Sequence, residues 1–329
     1  MRKIIKIAGV TLSIIFILII SAGVYVKYFL PNVGAAGQLK IVSTSAKVER
    51  GKYLANHVMI CMDCHSTRNW NFYAGPMQPD SLGKGGELFD RNAGFPGTMY
   101  AANITPAGIG DWTDGEIFRA ITTGVRKNGK PIFPVMPHEN YGKLDPEDIE
   151  AIISYVRSLP PINYKVPASK YDFPMNFIIN TIPKKAHFSK RPDSSEVLRY
   201  GKYMITAASC GNCHTPFEKG SFDTAFSFAG GRSFILPAGV VTSANLTKDK
   251  ATGIGNWNKE MFIDRFRAYR DSAYAHRKVD MTKEMNSVMP WPVYAGMSDY
   301  DLGAIYTFLQ SLPPISHSIV KYTPSAIHH

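Results

Sequence analysis

The apolar residues form one long uninterrupted stretch near the N-terminus, followed by shorter helical stripes. From Ile7 to Val26, 20 residues carry no charge and are rich in Ile, Leu and Val. A helix of that length spans a bilayer. Three basic residues and no acidic one precede the stretch, which predicts that this end stays in the cytoplasm and that the chain after Lys27 lies on the far side. A cleaved signal peptide is the alternative, with Ser21-Ala22-Gly23 as a possible cleavage site, but the stretch is longer than a usual signal core and favours an anchor.

Two further stripes have helical spacing and match each other at a constant offset of 153 residues. Asp145 and Ser298 are the predicted N-caps of these helices, and Asp148 and Asp301 stand near the capping-box position. Ser-Leu-Pro-Pro-Ile ends both helices, since proline cannot continue them. The matching apolar positions are Ile149, Ile152, Ile153, Val156 and Leu159 in the first stripe, and Leu302, Ile305, Tyr306, Leu309 and Leu312 in the second.

Other paired segments show that the chain is an internal duplication. Thr113 to Glu116 is a capping box that predicts another helix, with a counterpart near Asn258. No segment alternates apolar and polar residues for long, so we expect an all-α protein with two tandem domains and an N-terminal transmembrane helix. The predicted divisions are an anchor (or signal peptide) and spacer at 1–43, a first domain at 44–162, a linker at 163–195, a second domain at 196–318 and a tail at 319–329.

The net charge of +11 lies mainly outside the two predicted domains. The excess of Lys and Arg is concentrated in residues 1–43 and 163–195, whereas a nucleic-acid-binding protein would carry it on a folded face. We therefore expect no nucleic-acid partner. The linker combines basic residues with the apolar run Phe173 to Ile179; it could dock a partner or anionic lipid, but a solvated strap packed across both domains is the favoured interpretation.

All four cysteines of the chain lie in two Cys-x-x-Cys-His motifs, Cys61 to His65 and Cys210 to His214. On a helix, positions i, i+3 and i+4 share one face, so two thiols can form thioether bonds to haem vinyl groups while the histidine ligates the iron. A disulfide framework, a redox-active cysteine pair and a single four-cysteine zinc site are the alternatives. The duplicated Cys-x-x-Cys-His spacing favours two covalently attached c-type haems, held by Cys61, Cys64, His65, Cys210, Cys213 and His214.

The duplication also selects a second axial ligand for each iron from the 13 methionines. Met136 and Met289 occupy equivalent Val-Met-Pro segments shortly before the closing helices, and methionine is a common axial ligand in cytochromes c. A gap-filling core methionine is the alternative at each position. His57, His138 and His276 are rival ligands, but none recurs at a matching place in the other half.

These motifs resemble the class I c-type cytochromes and, more closely, the multihaem cytochrome c subunits of membrane-bound alcohol and sugar-acid dehydrogenases. The resemblance covers about residues 45 to 318 and includes the Asn-Ile-Thr and Gly-Ile-Gly-Asp-Trp segments after the first motif and Met-Pro followed by Tyr141 or Tyr294. It implies that His65 and Met136 ligate one iron, and His214 and Met289 the other. The chain departs from that pattern in having two haem motifs, where those subunits usually have three, and in its N-terminal anchor.

The expected function is electron transfer without catalysis. We expect a dihaem cytochrome anchored in the inner membrane, with its haems in the periplasm or on the outer face, relaying electrons between a dehydrogenase, a quinol-oxidising complex or a terminal oxidase. A dihaem peroxidase is the enzymatic alternative; it would need an iron with an open sixth position, which paired Met-Pro segments do not favour. A permanent subunit of a larger redox complex is a third possibility that differs only in its partner.

Overall fold

The computed structural model describes residues 2–270 and 276–325, and its longest element is the N-terminal helix α1, Arg2–Phe29. This helix is exposed along nearly its whole length, and it is long and apolar enough to cross a membrane, a test that a signal sequence also meets. The spacer after it returns to the folded part of the chain, where the Ile41 amide donates to the Asp114 carboxylate at 2.9 Å. Met1, residues 271–275 of the predicted second domain and residues 326–329 of the predicted tail lie outside the described residues.

Twelve shorter helices and eight short strands follow in the described part of the chain. The helices are α2 (Ser45–Tyr53), α3 (Cys61–Cys64), α4 (Pro106–Ile109), α5 (Asp114–Thr123), α6 (His138–Tyr141), α7 (Pro146–Ser158), α8 (Met175–Ile178), α9 (Val197–Ala207), α10 (Cys210–Cys213), α11 (Lys259–Arg267), α12 (Trp291–Tyr294) and α13 (Asp299–Ser311). The strands are β1 (Leu88–Phe89), β2 (Gly97–Tyr100), β3 (Lys170–Tyr171), β4 (Phe217–Glu218), β5 (Ser221–Phe222), β6 (Ser233–Leu236), β7 (Gly239–Thr242) and β8 (Tyr322–Pro324).

Each half of the chain is built on two helices that cross at very close range. In the first half α2 packs on α7, and a Cβ atom added to Gly51 would lie 1.8 Å from the Ala151 carbonyl oxygen. In the second half α9 packs on α13, and a Cβ atom on Gly201 would lie 2.0 Å from the Ala304 carbonyl oxygen. The same crossing therefore occurs in both halves, and a glycine stands at the close approach of the two backbones in each.

The predicted helix starts are confirmed. Asp145 accepts a hydrogen bond from the Glu147 amide at the start of α7, and Ser298 accepts one from the Asp301 amide at the start of α13. Thr113 and Glu116 form the predicted capping box of α5. The side chains of Asp148 and Asp301 do not close capping boxes. The Asp148 carboxylate instead accepts a hydrogen bond from Tyr203 of the other half, and the Asp301 carboxylate accepts one from Tyr53 of the other half.

The expectation of an all-α fold is wrong, because short antiparallel sheets lie in the connections. The order of strands is β1-β2-β3 in one sheet, β4-β5 in a hairpin and β6-β7-β8 in a third. Each strand has only two to four residues, too few for an alternating pattern to be visible in the sequence. The long segments after the Cys-x-x-Cys-His motifs must still pair their backbone groups, and they do so locally.

The linker and the tail both contribute to these sheets. β3, within residues 163–195, pairs with β2 through Gly97 opposite Tyr171. β8, within the tail, pairs with β7 through Val240 opposite Thr323. The linker is thus hydrogen-bonded to the first half of the chain, and the tail is hydrogen-bonded to the second half.

The two halves share one continuous hydrophobic core, and their mutual contacts are reciprocal. The short helix after each Met-Pro pair packs on the helical segment that leads into the other half's Cys-x-x-Cys-His motif. On one side His57 Nδ1 lies 3.1 Å from the Val293 carbonyl oxygen. On the other side the Asn140 amide donates to the Asn212 side-chain oxygen at 3.0 Å.

Candidate functional site

The two Cys-x-x-Cys-His motifs adopt the same local structure. Helix α3 is a single turn preceded by Ile60 in the left-handed region at φ 49°, and the His65 amide donates to the Cys61 carbonyl at 2.9 Å. Helix α10 is preceded by Ser209 at φ 54°, and the His214 amide donates to the Cys210 carbonyl at 2.9 Å. Both cysteines and the histidine of each motif therefore occupy one turn, as the haem-attachment prediction requires.

The four cysteines, all within the described residues, form no disulfide with one another, so the disulfide alternative is not supported by the structure. Burial raises the pKa of Cys61 and of Cys210 to about 12, and it also raises the pKa of Cys64 and Cys213. Across residues 2–270 and 276–325, moreover, no group of three or more His, Cys, Asp and Glu side chains is placed to hold a metal ion, so the two cysteine pairs do not form one four-cysteine site.

Both motif histidines are oriented by a backbone carbonyl. His65 Nδ1 lies 2.7 Å from the Ala102 carbonyl oxygen, and His214 Nδ1 lies 2.8 Å from the Ala244 carbonyl oxygen. A carbonyl oxygen only accepts hydrogen bonds, so Nδ1 carries the proton and the lone pair of Nε2 remains for a metal. Burial lowers the pKa of both imidazoles, which favours the neutral form that ligates iron. This donor set fits a c-type haem at each motif.

The repeated Asn-x-Thr segments hold these carbonyls in place. Asn103 follows Ala102 directly, and its side-chain amide donates to the Ile162 carbonyl at 2.8 Å. In the second half the Asn245 amide donates to the Ile315 carbonyl at the same distance. Each asparagine thus connects two parts of its half. Its backbone follows the carbonyl that orients the histidine, and its side chain is bonded to the Pro-Pro-Ile segment at the end of the closing helix. The sequence signalled both segments as repeats without revealing this role.

Met136 and Met289 lie in matching loops at the edge of the core. Both side chains are half-buried and pack against it, as Cys61 and Cys210 also do. The Met136 carbonyl accepts from the His138 amide at 2.8 Å, and the Met289 carbonyl accepts from the Trp291 amide at 2.8 Å, so the two loops have the same shape. Their role as axial ligands stays a prediction.

Tyr141 and Tyr294, quoted above only as part of the resemblance, connect each methionine loop to a haem motif. The Tyr141 hydroxyl donates to the Met59 carbonyl at 2.6 Å, two residues before Cys61. The Tyr294 hydroxyl donates to the Ala208 carbonyl at 2.6 Å, two residues before Cys210. Burial raises the pKa of both phenols well above the usual value, so the hydroxyls stay protonated and keep donating. The repeated spacing Met-Pro-x-x-x-Tyr was the signal in the sequence.

The rival histidines differ in their surroundings. His57 contacts the other half and fills the space beside Gly296, where a Cβ atom would lie 2.0 Å from its Nδ1. His138 is buried against Gly124, and burial lowers its pKa to about 4. His276 is exposed. Of the three, His138 is the one buried near a predicted ligand, since it follows Met136 by two residues.

Comparisons with known proteins agree with this chemistry. Residues 198–313 match the family described as cytochrome c. The chain is 28% identical over 294 residues to the cytochrome c subunit of alcohol dehydrogenase (quinone) from Komagataeibacter europaeus, covering 85% of this chain and 58% of that one. It is 27% identical over 288 residues to the gluconate 2-dehydrogenase cytochrome c subunit from Pantoea cypripedii, covering 82% and 60%.

A third relative is closer to this chain in length. The diheme cytochrome c-type protein of Cereibacter sphaeroides is 24% identical over 271 residues, which cover 78% of this chain and 82% of that protein. The dehydrogenase subunits are longer, and this chain spans about 60% of their length. The second half of the chain thus carries a cytochrome c domain, and the chain as a whole, with haem-type motifs in both halves, resembles the cytochrome c subunits of alcohol and sugar-acid dehydrogenases.

Proposed function

We propose that this chain is a membrane-anchored dihaem cytochrome c that relays electrons from a dehydrogenase to a further redox partner. One observation carries the proposal: two Cys-x-x-Cys-His turns of the same structure, each with its histidine Nδ1 held by a carbonyl oxygen, share one continuous core. Two haems held in this way would keep a constant separation. A relay needs that constancy, because electrons must pass between the two sites without rearrangement of the protein.

Different residues of the chain would attach each haem and ligate its iron. Cys61 and Cys64 would hold one haem covalently, and His65 would present Nε2 to its iron; Cys210, Cys213 and His214 would do the same for the other. When bound, each haem supplies reversible one-electron chemistry between Fe(III) and Fe(II). Met136 and Met289 would each offer a neutral thioether to one of the irons, and thioether ligation favours the reduced state and raises the potential.

Membrane anchoring by α1 brings the relay to its partners. The basic residues Arg2, Lys3 and Lys6 in the first two turns of α1 favour a cytoplasmic N-terminus, which would place both haem sites on the periplasmic side of the inner membrane. Tethering there raises the effective concentration of the cytochrome for membrane-bound partners. The dehydrogenase partner is inferred from the relatives, which are cytochrome subunits of alcohol, gluconate and fructose dehydrogenases.

The peroxidase alternative has no observation in its favour. Both halves offer an equivalent methionine in an equivalent loop, and the relatives named above are cytochrome c proteins. A peroxidase would instead require the two halves to differ at the sixth ligand.

Optical and magnetic spectra of the purified, haem-loaded chain test the proposal. We expect two covalently bound haems per chain, both low-spin in each oxidation state. Covalent attachment should persist after denaturation, because thioether bonds do not depend on the fold. A single haem, or one high-spin iron that reacts with peroxide, would overturn the relay.

A further inference from the structure

The linker exposes an apolar surface beside the N-terminal helix. We call residues 173–182 the interfacial segment; it consists of Phe173, Pro174, helix α8, a 3-10 turn at Ile179–Thr181 and Ile182. Phe173 is 80% exposed, Phe177 37% and Ile178 44%. Ile179 points the other way and is 2% exposed. The segment therefore has an inner anchoring residue and an outer apolar face that the described part of the chain leaves exposed.

This segment lies against the C-terminal end of α1. Both α8 and the turn after it contact α1. Gly23 and Val26 are the half-buried residues of α1, and its other described residues are exposed. Because Gly23 and Val26 are three positions apart, they lie on one face of the helix, in its last two turns. The contact is thus confined to the end of α1 that leads into the folded part of the chain.

The length of α1 fixes the depth of this contact in a membrane. Its 28 residues extend about 42 Å at about 1.5 Å per residue, whereas the hydrocarbon core of a bilayer is about 30 Å thick. The uncharged stretch ends at Val26, and Lys27 follows. Gly23 and Val26 therefore lie near the boundary between hydrocarbon and headgroups. A segment packed beside them lies at the same depth.

We propose that the interfacial segment is a second membrane contact, with Phe173, Phe177 and Ile178 inserted into the outer boundary of the bilayer. The occupant of this apolar face is lipid. The inference rests on the proposed anchoring by α1, and it replaces the solvated strap favoured by composition alone. Aromatic side chains suit this depth, and Phe173 and Phe177 form an edge-to-face pair with ring centroids 6.3 Å apart.

The charges around the segment suit a lipid surface. Lys184 and Lys185 follow it after Pro183 and are exposed, although Lys184 also contacts Glu139 at 3.3 Å. Exposed lysines next to an inserted apolar face attract anionic headgroups. With a second contact the first half of the chain could no longer rotate freely about α1. The relay would then face its partners in one orientation.

Selective labelling of an introduced thiol tests the proposal. In the haem-loaded full chain all four native cysteines are consumed by thioether bonds, so Ile178→Cys carries a single free thiol. Met261→Cys, in α11 of the second half, is the matched control, since Met261 is 49% exposed and Ile178 44%. Each variant is placed in nanodiscs of phosphatidylcholine and phosphatidylglycerol, one chain per disc. Labelling is then timed with a charged and with an uncharged maleimide.

We expect the charged reagent to label Ile178→Cys at least about tenfold more slowly than Met261→Cys, relative to the uncharged reagent, because moving a charged molecule from water into an apolar layer is costly and about 1.4 kcal/mol already corresponds to a factor of ten. The uncharged reagent should reach both thiols. Equal labelling rates of Ile178→Cys and Met261→Cys with the charged reagent would overturn the proposal that the interfacial segment inserts into the membrane. Haem absorbance must match the wild type in both variants, which establishes that they are folded.

Sedimentation with vesicles of the same composition at alkaline pH separates this outcome from failure of the anchor. If the chain sediments with vesicles and the charged reagent labels both variants equally, the anchor stands and only the interfacial segment is wrong. If the chain stays in the supernatant, membrane anchoring by α1 is wrong, and the segment falls with it.

Discussion

The Tyr203 hydroxyl of the second half donates a hydrogen bond to the Asp148 carboxylate of the first half at 2.7 Å. The reverse contact also exists, because the Tyr53 hydroxyl of the first half donates to Asp301 of the second. Tyr53 and Tyr203 are equivalent positions in the repeat, as are Asp148 and Asp301. Each tyrosine therefore joins the helix before its own haem motif to the closing helix of the other half.

Tyr203→Phe should weaken the contact between the halves. Asp148 is 2% exposed and would lose one donor, while Arg50 and Arg191 still contact it at 3.0 and 2.6 Å. Hydrogen bonds to charged groups contribute about 1.5–3 kcal/mol, and the remaining partners place the expected loss of unfolding free energy at about 1.5 kcal/mol. Guanidinium denaturation of the haem-loaded protein measures it.

Tyr300→Phe is the matched control for this measurement. Tyr300 is 49% exposed, and its hydroxyl donates to the Ser194 carbonyl near the surface. Surface substitutions usually change stability by less than about 0.5 kcal/mol. Equal losses in the two variants would show that the Tyr203 contact contributes nothing particular to the interface.

The same interface should weaken at alkaline pH. Burial and the nearby Asp301 carboxylate raise the pKa of Tyr53 to about 12, compared with 10.0 for a free phenol. Because the folded-state value is the higher one, the stabilisation is fully present below pH 10 and is lost as the pH rises from 10 to 12. We therefore expect the difference in unfolding free energy between the wild type and Tyr53→Phe to shrink across that interval. A difference that stays constant from pH 8 to 12 would contradict this assignment.

Substitution of the crossing glycines should be far more costly than substitution of a helical glycine elsewhere. In Gly51→Ala and Gly201→Ala the added methyl group would lie 1.8 and 2.0 Å from backbone oxygens. These oxygens cannot rotate away as a side chain could, so the helices themselves would have to move. Overpacking typically costs about 1–3 kcal/mol, and we expect both variants to lose at least that much.

Gly303→Ala serves as the control for the crossing. Its nearest neighbour would be the flexible Lys259 side chain at 3.2 Å, and alanine favours a helix over glycine by about 1 kcal/mol. This variant should be at least as stable as the wild type in thermal unfolding. If Gly51→Ala matched it, the close crossing of α2 and α7 would be wrong.

The sequence predicted those parts of the site that depend on local spacing. The apolar stripe of α7 and the Cys61 to His65 turn could be found because helical periodicity and a short motif are local properties, and the repeat supplied a second instance of each. Asp148 was misread as part of a cap, since its partner Tyr203 lies 55 residues away and only the packing of the halves brings them together. Strand β3 left no periodic signal in the sequence, because two residues are too few to show an alternation of apolar and polar positions.

The axial ligands can be tested one iron at a time with carbon monoxide. If Met136 ligates the first iron, Met136→Ala opens one coordination position, and the reduced protein should bind one carbon monoxide per chain. Met289→Ala should likewise bind one and the double variant two, whereas the wild type binds none.

Met285→Ala is the control, because Met285 is 37% exposed, lies four residues before Met289 and has no counterpart in the first half. It should bind no carbon monoxide and keep the wild-type spectrum. If Met136→Ala also bound none, the first iron would have another sixth ligand. His138, buried two residues further on, would then be the residue to replace, and loss of a bis-histidine spectrum in His138→Ala would identify it. The asymmetry would itself be informative, since the equivalent position in the second half is Trp291 and cannot ligate iron.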